Sequence, residues 1–207
     1  MSENINASVF QYSDGFHFTF LSEAFRILID SYSEMLIKNN YIGISYDENK
    51  LRDDLIKIAE TKRKKVMFEW DTESRNLIKS NRIDVTLITS YSLGLGFEKR
   101  IGIECKIVGV NSYVNGNGII SFTSGKYASQ MPIAGMIGFI MVPTVKSKVD
   151  EINEKLKEHK KIKTNKYLLF YKFVDGFNES YHSNHDRVKQ LPSIDIYHLM
   201  FDCTSII

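Results

Sequence analysis

The sequence predicts an α/β protein in which helices pack around a mixed central β-sheet. Three observations predict it. Stretches of period-two alternation are interleaved with stretches of helical period along the chain. The segment AGMIGFIMV (134–142) is a continuous apolar run, too short to span a bilayer, as expected of a strand covered on both faces. The chain has 207 residues, of which 43% are hydrophobic, and this suffices for a real core in one domain.

Residues 1–20 are mixed and aromatic and carry no assignable pattern. From Leu21 to Lys38, Phe25, Leu28, Ile29, Tyr32, Met35 and Leu36 recur at steps of three and four, which predicts a helix ending at Asn39–Asn40. A second helix is expected from about Glu48 to Thr61, with Leu51, Leu55 and Ile58 as its apolar stripe and Asp47 as its cap. VMFEW (66–70) reads as a strand. IDVTLIT (83–89) and RIGIECKIVG (100–109) alternate and are rich in β-branched residues, and Gly94 and Gly96 mark the loop between them. Ile119, Phe122 and Lys126 lie at helical spacing within 112–128. Strand 134–142 follows, then an amphipathic helix Val145–Lys161 with Val149, Ile152 and Leu156 inward. KYLLFYKF (166–173) and IDIYHLMF (194–201) are the last two expected strands. No repeat or low-complexity linker divides the chain, so residues 1–207 read as a single unit: an N-terminal helical elaboration (1–46) and a core (47–207).

The formal net charge is +2, so any surface suited to a polyanion must be local. Cys105 and Cys203 form no CxxC pair and no zinc spacing, which fits buried thiols in a reducing compartment. The N-terminal stretch lacks a basic region followed by an apolar one, so no signal peptide is expected. A cytoplasmic protein with no membrane partner is the resulting expectation.

The chemistry concentrates on two segments. Side chains on a strand alternate between faces. On 100–109, Ile101, Ile103, Cys105 and Ile107 share one face, and Gly102, Glu104, Lys106 and Val108 share the other. On 83–89, Ile83, Val85 and Leu87 point one way, and Asp84 and Thr86 point the other. If the strands pair, Asp84 approaches Glu104. Two adjacent carboxylates repel unless neutralised, and a hard divalent cation such as Mg²⁺ is the natural partner. A lysine beside them can contact a phosphate or stabilise developing negative charge. The bland reading leaves Asp84 as a turn cap and Glu104 and Lys106 as a surface pair.

An Asp on one strand followed by Glu-x-Lys on the next resembles the PD-(D/E)xK superfamily of restriction-endonuclease-like nucleases. Here the pattern is Ile83-Asp84 followed by Glu104-Cys105-Lys106, with Ile83 where the motif has proline. The likeness runs from about residue 47 to 203. DENKLRDDL, VMFEW, YVNGNGIISFTSGKY leading into AGMIGFIMV, and YHSNHDR look like uncharacterised bacterial members of the superfamily. The resemblance implies a three-layer α/β/α core and metal-dependent hydrolysis of phosphodiester bonds, with DNA as the expected substrate. A role in restriction or defence against foreign DNA follows only by analogy. It also implies that Asp84 and Glu104 ligate Mg²⁺ or Mn²⁺, that the carbonyl of Cys105 adds a ligand, and that Lys106 assists the reaction. Glu48 would be the helix-borne acid completing the site, with Glu69 as its competitor. The alternative is a catalytically inactive nuclease-fold module that binds nucleic acid or assembles with other subunits. A homodimer or larger complex is compatible with either.

Three further residues are candidate substrate contacts. Lys126 follows Gly125 in a segment that does not fit a P-loop, and it reads either as a phosphate contact or as a solvated lysine. His185 and Arg187, in YHSNHDR, read as a substrate-facing loop or as a plain polar turn. His182 and His185 have no evident third ligand for a metal. The basic runs Lys62–Lys65 and Lys157–Lys163 are candidate phosphate contacts or solvated faces.

Overall fold

The elements follow the hydrophobic periodicity closely. In the computed structural model, which describes residues 14–38, 47–62, 68–72, 83–89, 100–129, 131–141, 144–188 and 191–204, two helices come first, α1 (Asp14–Lys38) and α2 (Glu48–Lys62). Strands β1 (Phe68–Thr72), β2 (Val85–Thr89) and β3 (Arg100–Ile107) follow, then the short helices α3 (Val110–Val114) and α4 (Ile119–Thr123). The chain continues through β4 (Ile133–Ile140), α5 (Val145–Lys157), β5 (Thr164–Phe170), β6 (Ser180–His185) and β7 (Ile194–Asp202). The seven strands form one sheet in the order β1-β2-β3-β4-β7-β6-β5. The β3–β4 and β4–β7 pairs are parallel and the others antiparallel, so the sheet is mixed.

Alternation along the central strands distributes the core onto both faces. Ile101, Ile103 and Cys105 of β3, Ile137 and Phe139 of β4, and Leu199 and Phe201 of β7 face one cluster, to which α1 and α2 contribute Leu21, Phe25, Leu28, Leu51 and Leu55. Ala134, Met136 and Ile140 of β4 and Ile194, Ile196 and Met200 of β7 face a second cluster, built with α3, α4 and α5. Every residue of β4 is buried, as its unbroken apolar run requires. Each fully buried leucine, such as Leu28 or Leu55, contributes about 2 kcal/mol by leaving water. Asp47 does cap α2: its Oδ1 accepts from the Asn49 N–H at 2.9 Å. Thr144 caps α5 by accepting from the Ser147 N–H at 3.2 Å.

Four features differ from the sequence expectations. Helix bounds shift: α1 begins at Asp14 instead of Leu21, and α5 ends at Lys157 instead of Lys161. The single helix expected within 112–128 is two short ones, broken at Asn115–Gly118. Asn117 takes φ 62°, which asparagine tolerates. Gly118 turns back so tightly that a Cβ there would lie 1.7 Å from the carbonyl oxygen of Tyr113. Ile83 does not share the face of Val85 and Leu87. It belongs to the second cluster, because the chain bends at Asp84 before β2 begins and Gly102 leaves room for the Ile83 side chain.

The fourth difference is β6, a strand where a polar turn was the competing expectation. Its buried polar side chains are joined to one another and to neighbouring elements, except that His182 Nδ1 has no partner among the described residues. Tyr113 Oη, His198 Nδ1 and Nε2, Ser183 Oγ, and His185 Nε2 are joined by successive bonds of 2.8 Å. His185 Nδ1 then meets Thr164 Oγ1 at 3.1 Å. Burial holds both imidazoles neutral: His198 is pushed well below its ordinary pKa, and His185 is lowered to about 4, with the nearby His182 adding to the effect. Among the described residues, no helix is long and apolar enough to cross a membrane.

Candidate active site

Strand β3 outruns its partner β2, and the site grows from that mismatch. Pairing between the two strands stops at Val85 opposite Ile103. The N–H groups of Cys105 and Ile107 therefore reach past the end of β2 with no strand to receive them. Two carboxylates take its place. Asp84 Oδ2 accepts from Cys105 N at 2.8 Å, and Glu48 Oε2, from the first turn of α2, accepts from Ile107 N at 2.9 Å. The bend at Asp84 and the start of α2 are thus fastened to the same strand end, 21 and 59 residues away in sequence.

Lys106 stands at the centre. Its Nζ lies 2.8 Å from Glu104 Oε1, 3.0 Å from Glu48 Oε1 and 3.7 Å from Asp84 Oδ2. It also donates to the carbonyl oxygen of Cys105 at 2.8 Å. An ammonium has three donors, so the contact with Asp84 is an ion pair without a full hydrogen bond. The Sγ of Cys105 points to the opposite face and is buried; only its backbone belongs to the site. Glu104 is 2% exposed and Lys106 8%, whereas the side chains of Asp84 and Glu48 are 19% and 35% exposed. The cluster therefore opens to solvent on the Asp84–Glu48 side.

The charges are unevenly matched. Among the described residues, three carboxylates share Lys106, and Arg52 stands behind them. Arg52, one turn along α2 from Glu48 and 4% exposed, donates to Asp84 Oδ1 at 3.0 Å and divides itself with Asp53 at 2.8 Å. Burial, and then the charge of Asp84, push the Glu104 carboxyl up to about 8 against the pull of Lys106. Burial pulls the Lys106 ammonium down, but Glu104, Asp84 and Glu48 together outweigh it, and its pKa is raised. The outcomes differ because the lysine has three anionic partners against its burial, whereas the deeper burial of Glu104 and the charge of Asp84 outweigh what Lys106 and the Asp84 backbone return to it. Glu104 Oε2 is buried and has no hydrogen-bond partner among the described residues.

Glu48, Asp84, Glu104 and Lys106 thus come together. Glu69 lies in β1 opposite Ile88, and its side chain is outside the described residues, as are residues 63–65 of the first basic run and the Gly94–Gly96 loop. The expected substrate-facing role of His185 and Arg187 is corrected by their burial. His185 is spent in the polar chain beneath β6. Arg187 donates to the carbonyls of Pro192 at 2.6 Å and Ala128 at 2.9 Å, so its guanidinium ties two loops together. Lys126 lies in the turn after α4. It donates to Asn117 Oδ1 at 2.7 Å and sits 5.1 Å above the ring of Tyr127. Burial, followed by the charge of Glu104, pushes the Tyr127 phenol up to about 12, which puts this turn within electrostatic reach of the acids.

Two participants escaped the sequence reading. Arg52 had a usable signal, since it stands four residues after Glu48 on one helix face. Tyr127 had none, because its approach to the site depends on the fold of the α4–β4 turn. Among the described residues, no three His, Cys, Asp or Glu side chains stand as a ready metal shell. The Lys106 ammonium holds the space between the carboxylates. A groove along α5, lined by Val110, Thr144, Asp150 and Glu154, lies apart from this cluster. No protein-family model, no curated protein and no solved structure matches this chain.

Proposed function

We propose that this chain is a metal-dependent nuclease of the PD-(D/E)xK kind, hydrolysing phosphodiester bonds in DNA. The observation that carries the reading is the convergence of Glu48, Asp84 and Glu104 on one buried lysine at the end of β3. Helices on both faces of a mixed sheet are what a restriction-endonuclease-like three-layer core requires.

The residues suit a hard divalent cation. Glu104 Oε2 is a buried acceptor with no partner among the described residues, Asp84 is partly open to solvent, and among the described residues three acids share the Lys106 ammonium. Asp84, Glu104 and the carbonyl of Cys105 would hold Mg²⁺ or Mn²⁺. Such a cation supplies Lewis-acid polarisation of a phosphoryl oxygen. Lys106 offsets negative charge developing on the phosphate, from a site where burial strengthens its field. Arg52 fixes the orientation of Asp84, and Glu48 holds Lys106 in place at 3.0 Å. With a pKa of about 8, Glu104 keeps its proton at neutral pH until a stronger cation faces it.

A second reading draws on a specific observation. Asp84 and Glu48 already satisfy the Cys105 and Ile107 N–H groups, so the cluster would also serve a non-catalytic module that binds nucleic acid or assembles with other subunits. Both readings place the protein in the cytoplasm, where its two free, buried cysteines stay reduced. A part in defence against foreign DNA is proposed for either by analogy alone. Calorimetric titration with Mn²⁺ separates them. The nuclease reading expects binding that is lost in Asp84→Asn with the fold retained. No binding by the unsubstituted chain would sink that reading and leave the module.

A further inference from the structure

Beyond the acid cluster, cationic and amide side chains form a continuous band across the surface. The loop Asn115–Gly118, between α3 and α4, is its middle. On one side, Asn117 Oδ1 accepts from Lys126 Nζ at 2.7 Å. On the other, Asn115 Oδ1 lies 2.6 Å from His159 Nε2. The His159 Nδ1 accepts from the N–H groups of Lys161 and Ile162 at 3.1 and 3.0 Å, so the imidazole pins the turn after α5 against the loop. That turn and the start of β5 carry exposed Lys160, Lys161, Lys163 and Lys166. Lys163 is paired with Asp186. The acids just upstream are Asp150, Glu151 and Glu154 on α5 and Glu158 at its C-cap, and Lys148 and Lys157 answer Glu151 and Glu154. From His159 to Lys166 the chain contains four lysines and no acid.

The band also leads to the acids. Lys126 adjoins Tyr127, which packs in the same cluster as Val108, Ala134 and Met136, on the face of the sheet that bears Glu104 and Lys106. Lysines interleaved with neutral amides match the spacing of charge and hydrogen-bond acceptors along a phosphodiester backbone, and such contacts carry no sequence information.

We propose that the surface from Lys126 through Asn115–Gly118 to Lys160–Lys166 is a track for the phosphate backbone of a nucleic acid, leading it to the acid cluster. The inference rests on the nuclease reading for what happens at the end of the track. Binding itself needs no metal, and the two can fail separately.

The test is fluorescence anisotropy of the full chain with a labelled DNA duplex and the matching RNA duplex, in chelator, from 50 to 200 mM salt. The unsubstituted chain is compared with Lys160→Gln/Lys161→Gln and with the off-track control Lys148→Gln/Lys172→Gln. Removing two phosphate contacts should lower the log–log salt slope by about 2, so the unsubstituted chain loses roughly tenfold more affinity across that range than the track variant. The control should keep the full slope. A track variant that binds like the unsubstituted chain overturns the proposal while leaving the nuclease reading intact. Equal losses in both variants overturn it too, since they mean diffuse attraction. No binding by any form also overturns it, whatever the metal titration shows.

Discussion

Replacing Glu104 with glutamine should make this protein more stable at neutral pH. A free glutamate titrates near 4.5, and burial beside Asp84 raises Glu104 in the folded chain to about 8. A carboxyl whose folded pKa is raised contributes stability that is fully present below its unfolded value and is lost as pH rises through its folded value. Between about 4.5 and 8, the unfolded chain ionises freely while the folded chain must hold the proton or bury the charge. Each pH unit in that window is worth about 1.4 kcal/mol at most. The side chain is 3% exposed, so solvent screening reduces this little. Glutamine keeps the shape and has no titration. Lys106 retains Glu48, Asp84 and the Cys105 carbonyl. From pH 5 to pH 7 the variant's advantage should therefore grow by about 2 kcal/mol and level off above pH 8. Urea unfolding of both chains in chelator, at four pH values, measures it, and other titrating groups cancel in the difference. A difference that stays flat with pH, or shrinks as pH rises, refutes the buried-acid reasoning.

Three other outcomes are expected. Lys106→Ala takes the shared cation from Asp84 and Glu48, which are partly exposed, and from Glu104, which holds its proton at pH 7, and should cost about 1–3 kcal/mol in denaturant unfolding at pH 7; no measurable cost, as for many surface pairs, would contradict the geometry. Gly118→Ala drives a Cβ into the Tyr113 carbonyl and should destabilise by about 2 kcal/mol or more, seen as a lowered Tm; an unchanged Tm would mean the α3–α4 loop relaxes freely. Burial, then Lys155 and Lys161, lower the pKa of His159, and protonation would break the two bonds its Nδ1 accepts. Its contribution is present above the ordinary histidine value and lost as pH falls through the lowered one. An NMR titration should find that imidazole below 6.5, and a higher value would refute the assignment.

What the sequence revealed, and what it did not, follows from the range of the forces involved. The facing of Glu104 and Lys106 was readable because strand alternation is a local rule, as was the Asp47 cap, because its partner is two residues away. The position of Glu48 came only from the family resemblance, since its N–H partner is 59 residues distant. Arg52 carried a helix-spacing signal four residues after Glu48, but its partner Asp84 lies 32 residues away and is met only through the fold. Strand β6 hid behind its composition: Ser183 and His185 are polar yet buried, and their burial is tolerated because His198 and Thr164 complete the hydrogen bonds from other elements. For the same reason His185 looked like a surface group. Ile83 changed face because a bend at Asp84 interrupted an alternation that the letters continue without a break.

Cleavage is the most direct test of the acid cluster. Linear, circular and single-stranded DNA, and RNA, would be incubated with the full chain in Mg²⁺ or Mn²⁺, beside Asp84→Asn and Lys106→Ala whose folding has been checked. A metal-dependent nuclease predicts cutting of DNA that disappears with chelator and in both variants. Cutting that survives chelator or Asp84→Asn, or no cutting of any substrate by the unsubstituted chain, would contradict the assignment of Asp84, Glu104 and Lys106 as the catalytic set.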